Sequence, residues 1–121
     1  MRIRAILAAA AAASLMAFPA MAQDGQYGPQ LNRILAEAAN GTCLAALMGE
    51  SLLNACNGQI EGMGPALASL GAIESTTFVS AGDRPGGRVE IWAVKYAGGQ
   101  TLNWVIGEIH DGKFDVVGTA G

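Results

Sequence analysis

One histidine and three carboxylates lie close together near the C-terminal end of the chain, in the stretch EIHDGKFD: Glu108, His110, Asp111 and Asp115. His110 is the only histidine, and a catalytic triad or a zinc site needs further partners at fixed spacing, which HDGK does not supply. The plain expectation for it is a solvated imidazole beside a turn. Glu108 and Asp115 raise a sharper question, because a two-residue turn at Asp111-Gly112 sets them directly opposite each other, where like charges repel. Either both point into water at the hairpin tip, or a cation sits between them, or one is held neutral with a raised pKa and acts as an acid or base. Solvation is the expected outcome, with no metal and no cofactor.

Cys43 and Cys56 are the only cysteines. If residues 42 to 60 formed one helix, thirteen residues at about 1.5 Å each would hold their Cα atoms roughly 19 Å apart, far beyond disulfide reach. Leu44, Met48, Leu52, Cys56 and Ile60 fit such an unbroken stripe, yet Gly49 followed by Glu50 and Ser51 supplies a break. The bent, bonded form is the reading favoured here. A redox-active pair is the alternative, but the C-x-x-C spacing is missing and no basic residue lies close by to lower a thiol pKa.

The opening MRIRAILAAAAAASLMAFPAMA carries Arg2 and Arg4, an apolar run to about Ala17, and Ala20-Met21-Ala22 as a small-x-small site. This predicts a cleaved signal peptide over residues 1-22, export to the periplasm or medium, and a single domain over 23-121. The apolar run is too short to span a bilayer, so no membrane attachment is expected after cleavage. Loss of Arg2 and Arg4 takes Lys+Arg from 7 to 5 against 10 acidic residues, moving the net charge from −3 to −5. Arg33, Arg84, Arg88, Lys95 and Lys113 are scattered, so a nucleic-acid partner is excluded as a working reading.

These residues must be positioned by a helical half and a strand half that meet near Gly71. Gly28-Pro29 opens a helix with Leu31, Ile34, Leu35 and Ala38 on one face, and Asn40-Gly41 ends it. Thr42 is expected to cap a short second piece, a third runs from about Glu50 to Gln59, and Gly64-Pro65 opens a last one. Strands follow at Ile73 to Ser80, Arg88 to Ala97, Thr101 to His110 and Lys113 to Gly118. The intervening SAGDRPGGR, residues 80 to 88, reads as a mobile connection and not a phosphate cradle, since no helix follows it.

Loop length fixes which side chains share a face. A two-residue Gly98-Gly99 loop would mix polar with apolar, setting Lys95 opposite Leu102; a three-residue Ala97 to Gly99 loop pairs Trp92 with Trp104 and Val94 with Leu102. The odd loop yields an aromatic face, Trp92, Val94, Tyr96, Leu102, Trp104 and Ile106, and an aliphatic one, Val89, Ile91, Ala93, Val105 and Ile109. The fold class is therefore α+β, short N-terminal helices on a four-stranded antiparallel meander. One helical layer covers one face only, which leaves the aliphatic residues for an interface with a second copy or a periplasmic protein. Trp92, Tyr96 and Trp104 read first as core, and second as the lining for a small apolar ligand.

ALASLGAIESTTFVSAG followed by VEIWAVKYAGGQTLNWVIGEIHDGKF resembles small secreted nuclear-transport-factor-2-like domains, the cone-shaped roll shared with ketosteroid isomerases and polyketide cyclases. The matching positions are Leu70-Gly71, Ser75 to Phe78, Trp92-Val94-Tyr96, Trp104-Ile106 and Asp111-Gly112-Lys113; MGESLLNAC matches the start of the last helix in such domains. Glu108 departs from the pattern, which has an aliphatic residue there. The resemblance implies helices over a curved inner face that encloses a pocket, and an outer face that makes a dimer or docks a neighbouring domain. Catalytic members place an acid or base at the pocket floor. The function expected is a non-catalytic exported binding or interaction module, with a small isomerase-like or cyclase-like enzyme as the alternative.

Overall fold

Helix α1 (Gly28–Ala39) follows directly from its sequence: proline sits in the first turn, Leu31, Ile34, Leu35 and Ala38 form its buried stripe, and Gly41 leaves the helix at φ 88°. The computed structural model describes residues 25–120, so the cleavable segment expected at 1-22 lies outside the described residues.

Between the helices the chain makes no second short helix at Thr42. It turns at 45–47, and Met48 forms a parallel bridge with Phe114, whose N–H donates to the Leu47 carbonyl and whose carbonyl accepts from Gly49, both at 2.8 Å. Helix α2 (Glu50–Ser69) then runs unbroken through Gly58, Gly62, Gly64 and Pro65, where the sequence predicts two pieces. Relative to alanine, three interior glycines cost about 1 kcal/mol each and the proline about 3, so local propensity favours a break. Packing overrides it. A Cβ on Gly64 would lie 3.0 Å from the Ala38 carbonyl oxygen and 3.5 Å from Gly41 Cα, which makes this glycine the point where α2 crosses the end of α1.

Cys43 and Cys56 are bonded, with Cα atoms 6.0 Å apart. The break at Gly49, the residue immediately before α2, brings them together. The cross-link ties the irregular segment to the second turn of α2.

Strands β1 (Ile73–Arg84), β2 (Gly87–Tyr96), β3 (Thr101–His110) and β4 (Lys113–Thr119) form one antiparallel sheet in the order β1-β2-β3-β4. Trp92 pairs with Trp104 and Val94 with Leu102, the register of the three-residue loop. Residues 80 to 88 are not a loose connection: β1 continues to Arg84 and pairs through Gly82↔Val89 and Asp83↔Arg88 to a tight turn. Asp111 at φ 53° and Gly112 at φ 78° make the last turn, as Asp-Gly hairpins require.

Both helices lie on the aromatic face. Leu31, Ile34, Leu35, Met48 and Leu67 meet Trp92, Val94, Tyr96, Trp104, Ile106 and Phe114 in one core. The Thr76 hydroxyl also donates to the Asn32 side-chain oxygen at 2.6 Å, fastening α1 to β1.

Replacing both cysteines, Cys43→Ser with Cys56→Ser, is expected to lower the unfolding free energy by about 3 kcal/mol, because the unfolded chain is then freed from a loop closed across a sequence separation of 13. Urea denaturation followed by tryptophan fluorescence measures this; a loss below about 1 kcal/mol would mean that the unfolded chain gains little freedom from the cut.

Candidate functional site

The inner row of β2 begins one step earlier than the aromatic residues, at Glu90, which is 0% exposed. Its carboxylate accepts from the backbone N–H of Gln26 at 2.8 and 3.0 Å, of Tyr27 at 2.9 Å, from Arg88 Nε at 2.8 Å and from Trp92 Nε1 at 2.9 Å. Helix α1 has no acidic residue in its first turn and no side-chain cap of its own. Glu90 supplies both from the sheet, its charge lying where the helix macrodipole favours an anion. Burial pushes the Glu90 carboxyl up, but the donors from Tyr27, Arg88, Gln26 and Trp92 together outweigh it and hold the group below the ordinary value of 4.5.

An acid-base catalyst needs a lone pair or proton free for substrate, and every direction around Glu90 is taken by a donor. Its chemistry is that of an anchor. The sequence carried a signal for it: Arg88, Glu90 and Trp92 alternate onto one face of a strand whose neighbouring positions are apolar, and an unshielded charge there needs partners.

Trp92 belongs to this anchor. Its indole N–H is used by Glu90, its ring meets Phe78 edge-on at 5.4 Å, and Gly25 and Gly28 lie against it so closely that a Cβ on either would strike the ring. Tyr96 and Trp104, grouped with it in the sequence reading, stand elsewhere. Tyr96 lines a hollow of about 620 Å³ with Asn32, Leu35, Leu67 and Ile73. Trp104 lines another of about 450 Å³ with Leu35, Met48, Leu52, Leu67 and Val117. Leu35 and Leu67 wall both.

Burial raises the Tyr96 hydroxyl above the usual tyrosine pKa, and the indole of Trp104 pulls it down only in part. The Trp104 indole N–H lies against the Tyr96 hydroxyl oxygen in a contact short of a well-formed hydrogen bond, and both atoms are shut off from solvent.

The hairpin carboxylates do not converge. Glu108 and Asp115 fall opposite one another, between the pairs Gly107↔Val116 and Ile109↔Phe114, but Glu108 has φ 55°, and its side chain turns to Gly86 in the β1–β2 turn. Asp115 turns the other way, to Gly49 and to His110 Nε2 at 3.9 Å, a loose exposed contact that contributes little. Neither carboxylate lines either hollow. Among the described residues no group of three or more histidines, cysteines and carboxylates could hold a metal ion.

The aliphatic face lies on the other side. Val89, Ile91, Ala93 and Val105 share it and lie outside the core cluster, but Val89 is itself buried and the other three are half-buried. Val79, at a bulge in β1, is 51% exposed. Ile109 leaves this row: it pairs with Phe114, a fully buried core residue, beyond the turn in backbone direction at Glu108, and is 37% exposed. Gly107 sits where any Cβ would run into the Arg88 carbonyl and Val89 Cα, so β3 passes close against β2 at this point.

Comparison with known protein families, with curated proteins and with solved structures finds no match to the chain.

The anchor makes a signed pH prediction. A glutamate whose folded pKa is lowered contributes stability that is fully present above its unfolded value and lost as pH falls through its folded value, here below 4.5. Glu90→Gln puts amide hydrogens against donors and is expected to cost about 3 kcal/mol or more near neutral pH. Denaturant unfolding from about pH 7 to about pH 3 should show the gap between wild type and variant closing toward acid; a gap independent of pH would contradict an ionised anchor.

Proposed function

We propose that the chain is an exported, non-catalytic interaction module, a reduced relative of the nuclear-transport-factor-2-like rolls, that pairs with a second copy of itself through the open face of its sheet. The observation that carries this reading is the row Ile91, Ala93 and Val105, apolar, only half-buried and outside the core cluster, with Val89 buried at its end, on a sheet whose two described helices lie on the other side. Soluble domains seldom leave a contiguous aliphatic face to water. The row bears no carboxylate, and its nearest cation on β2 is Lys95 at the strand end, so two copies meet without charge repulsion and no charge on it selects a different partner. A periplasmic protein with a matching apolar face is the other occupant that the test distinguishes.

Export is supported by the signal-peptide pattern of the first 22 residues and by the disulfide, since such cross-links persist in oxidising compartments. Among the described residues no helix is long and apolar enough to cross a membrane. The non-catalytic reading is supported by the saturated hydrogen bonding of Glu90 and by the separation of Glu108 from both hollows.

Sedimentation of the mature protein tests the proposal. A dimer is expected at micromolar concentration, and Ile91→Lys should weaken it by about tenfold or more, because an ammonium is then buried without a partner. The indole resonance of Trp92, on the opposite face, should stay in place. A monomer at high micromolar concentration would rule out self-pairing, and the retention of a distinct periplasmic protein that Ile91→Lys abolishes would assign the face to a hetero-partner.

A further inference from the structure

Strand β4 is one border of the sheet, and only its beginning is covered there. Phe114 exchanges backbone hydrogen bonds with Leu47 and Gly49, and among the described residues these are the only backbone bonds on that border. The chain then leaves β4 to begin α2, and beyond this one parallel rung the edge is open. The Ala120 N–H donates inward to the Asn103 carbonyl at 2.7 Å. By the alternation of an antiparallel ladder, the N–H and C=O groups of Val117 and Thr119 therefore point outward, away from β3.

The same stretch of β4 borders the hollow of about 450 Å³. Val117 and Thr119 line it from the strand, and Leu52, Ala55, Gln59 and Met63, spaced three or four residues apart along α2, line it from the helix. Val117, Leu52 and Met63 are only half-buried although they lie on the helix-covered side. No lysine, arginine, histidine, aspartate or glutamate lines this hollow. The two elements that form it carry three carboxylates, Glu50, Glu61 and Asp115, against one lysine, Lys113, a net charge of −2.

An unpaired strand edge and an apolar groove beside it ask for two halves of one ligand. The edge takes a second backbone, and the groove takes uncharged side chains at every other position along it. We infer that an extended peptide segment of another protein docks here as a fifth strand on β4, with alternate apolar side chains entering between β4 and α2 and basic residues at its ends facing the acidic surroundings. Met48 and Met63 give the groove walls that adapt to side chains of different shape. The edge from Asp115 to Thr119 spans roughly 17 Å of strand, which sets the length of the docked segment. The site lies on the helix-covered side and does not depend on what covers the open face.

The test uses the ¹⁵N-labelled mature protein and the blocked heptapeptide Lys-Thr-Val-Thr-Val-Thr-Lys. Titration should shift the backbone amides of Val117 and Thr119 and slow their hydrogen exchange, while the indole resonance of Trp92, held at the anchor, stays fixed. Serine at both valine positions of the peptide should weaken binding about tenfold or more, and glutamate at both lysine positions about threefold to tenfold. Thr119→Pro removes an outward N–H without touching the β3 ladder and should weaken the peptide about tenfold with the fold unchanged. Met63→Glu leaves every strand intact and should weaken it comparably from the helix side. Ile91→Lys, on the opposite face, should bind the peptide as wild type does, so this site and the dimer face fail separately. The site is refuted by Val117 and Thr119 amides that neither shift nor gain protection in a large excess of peptide, or by equal affinity for the valine and serine peptides. It is refuted equally by Thr119→Pro and Met63→Glu proteins that fold and bind as wild type does. If Thr119→Pro dissociates a dimer that the peptide does not disturb, the edge belongs to a second copy and the proposal falls.

Discussion

The architecture depends on one buried carboxylate. A helix of twelve residues is marginal alone, and α1 begins without a cap of its own. Glu90 reaches from the second strand to the backbone just before that helix and holds the amides of Gln26 and Tyr27. The same oxygens take Arg88 and Trp92, so one ion sets the position of the helix, the rotamer of one of the two core tryptophans and the direction of an arginine beside the β1–β2 turn. Burying a charge is costly when any lone pair is unmet, and for that reason the arrangement is all or none.

Much of the sheet was legible in the sequence because its signals are local. Asp111-Gly112 and the odd-length loop at Ala97 to Gly99 fix register through backbone geometry and face matching, which involve residues only a few positions apart. The disulfide was legible through compartment and chain length. The helical half was less so. Gly64-Pro65 carries the local signature of a helix start, and only the proximity of Ala38 and Gly41, more than twenty positions away, explains why a glycine is required inside a continuous helix. The capping role of Glu90 was hidden for a related reason: Arg88 and Trp92 are two positions away, but the amides of Tyr27 and Gln26 that it holds are sixty-three and sixty-four positions away, and no spacing rule spans such a distance.

The two tryptophans show how one row of aromatics divides its work. Both lie on the inner face, paired directly across the β2–β3 ladder, and sequence pattern alone gives them the same status. Distance from Glu90 separates them. Trp92 is close enough to be consumed by the anchor, whereas Trp104 is left with a donor and a hollow beside it. Glu108 divides the outer face similarly: its left-handed backbone sends Ile109 out of the aliphatic row and carries its own carboxylate away from Asp115.

Pro65 has no amide to offer the Glu61 carbonyl, so α2 lacks one rung about three-quarters of the way along its length. The cross-link through Cys56 grips the helix before that missing rung, and Leu67, which walls both hollows, rides after it. The helix is thus a lever clamped near one end, with a joint close to the other. The backbone bonding of α2 is therefore thinnest in the stretch that sets the width of the two hollows.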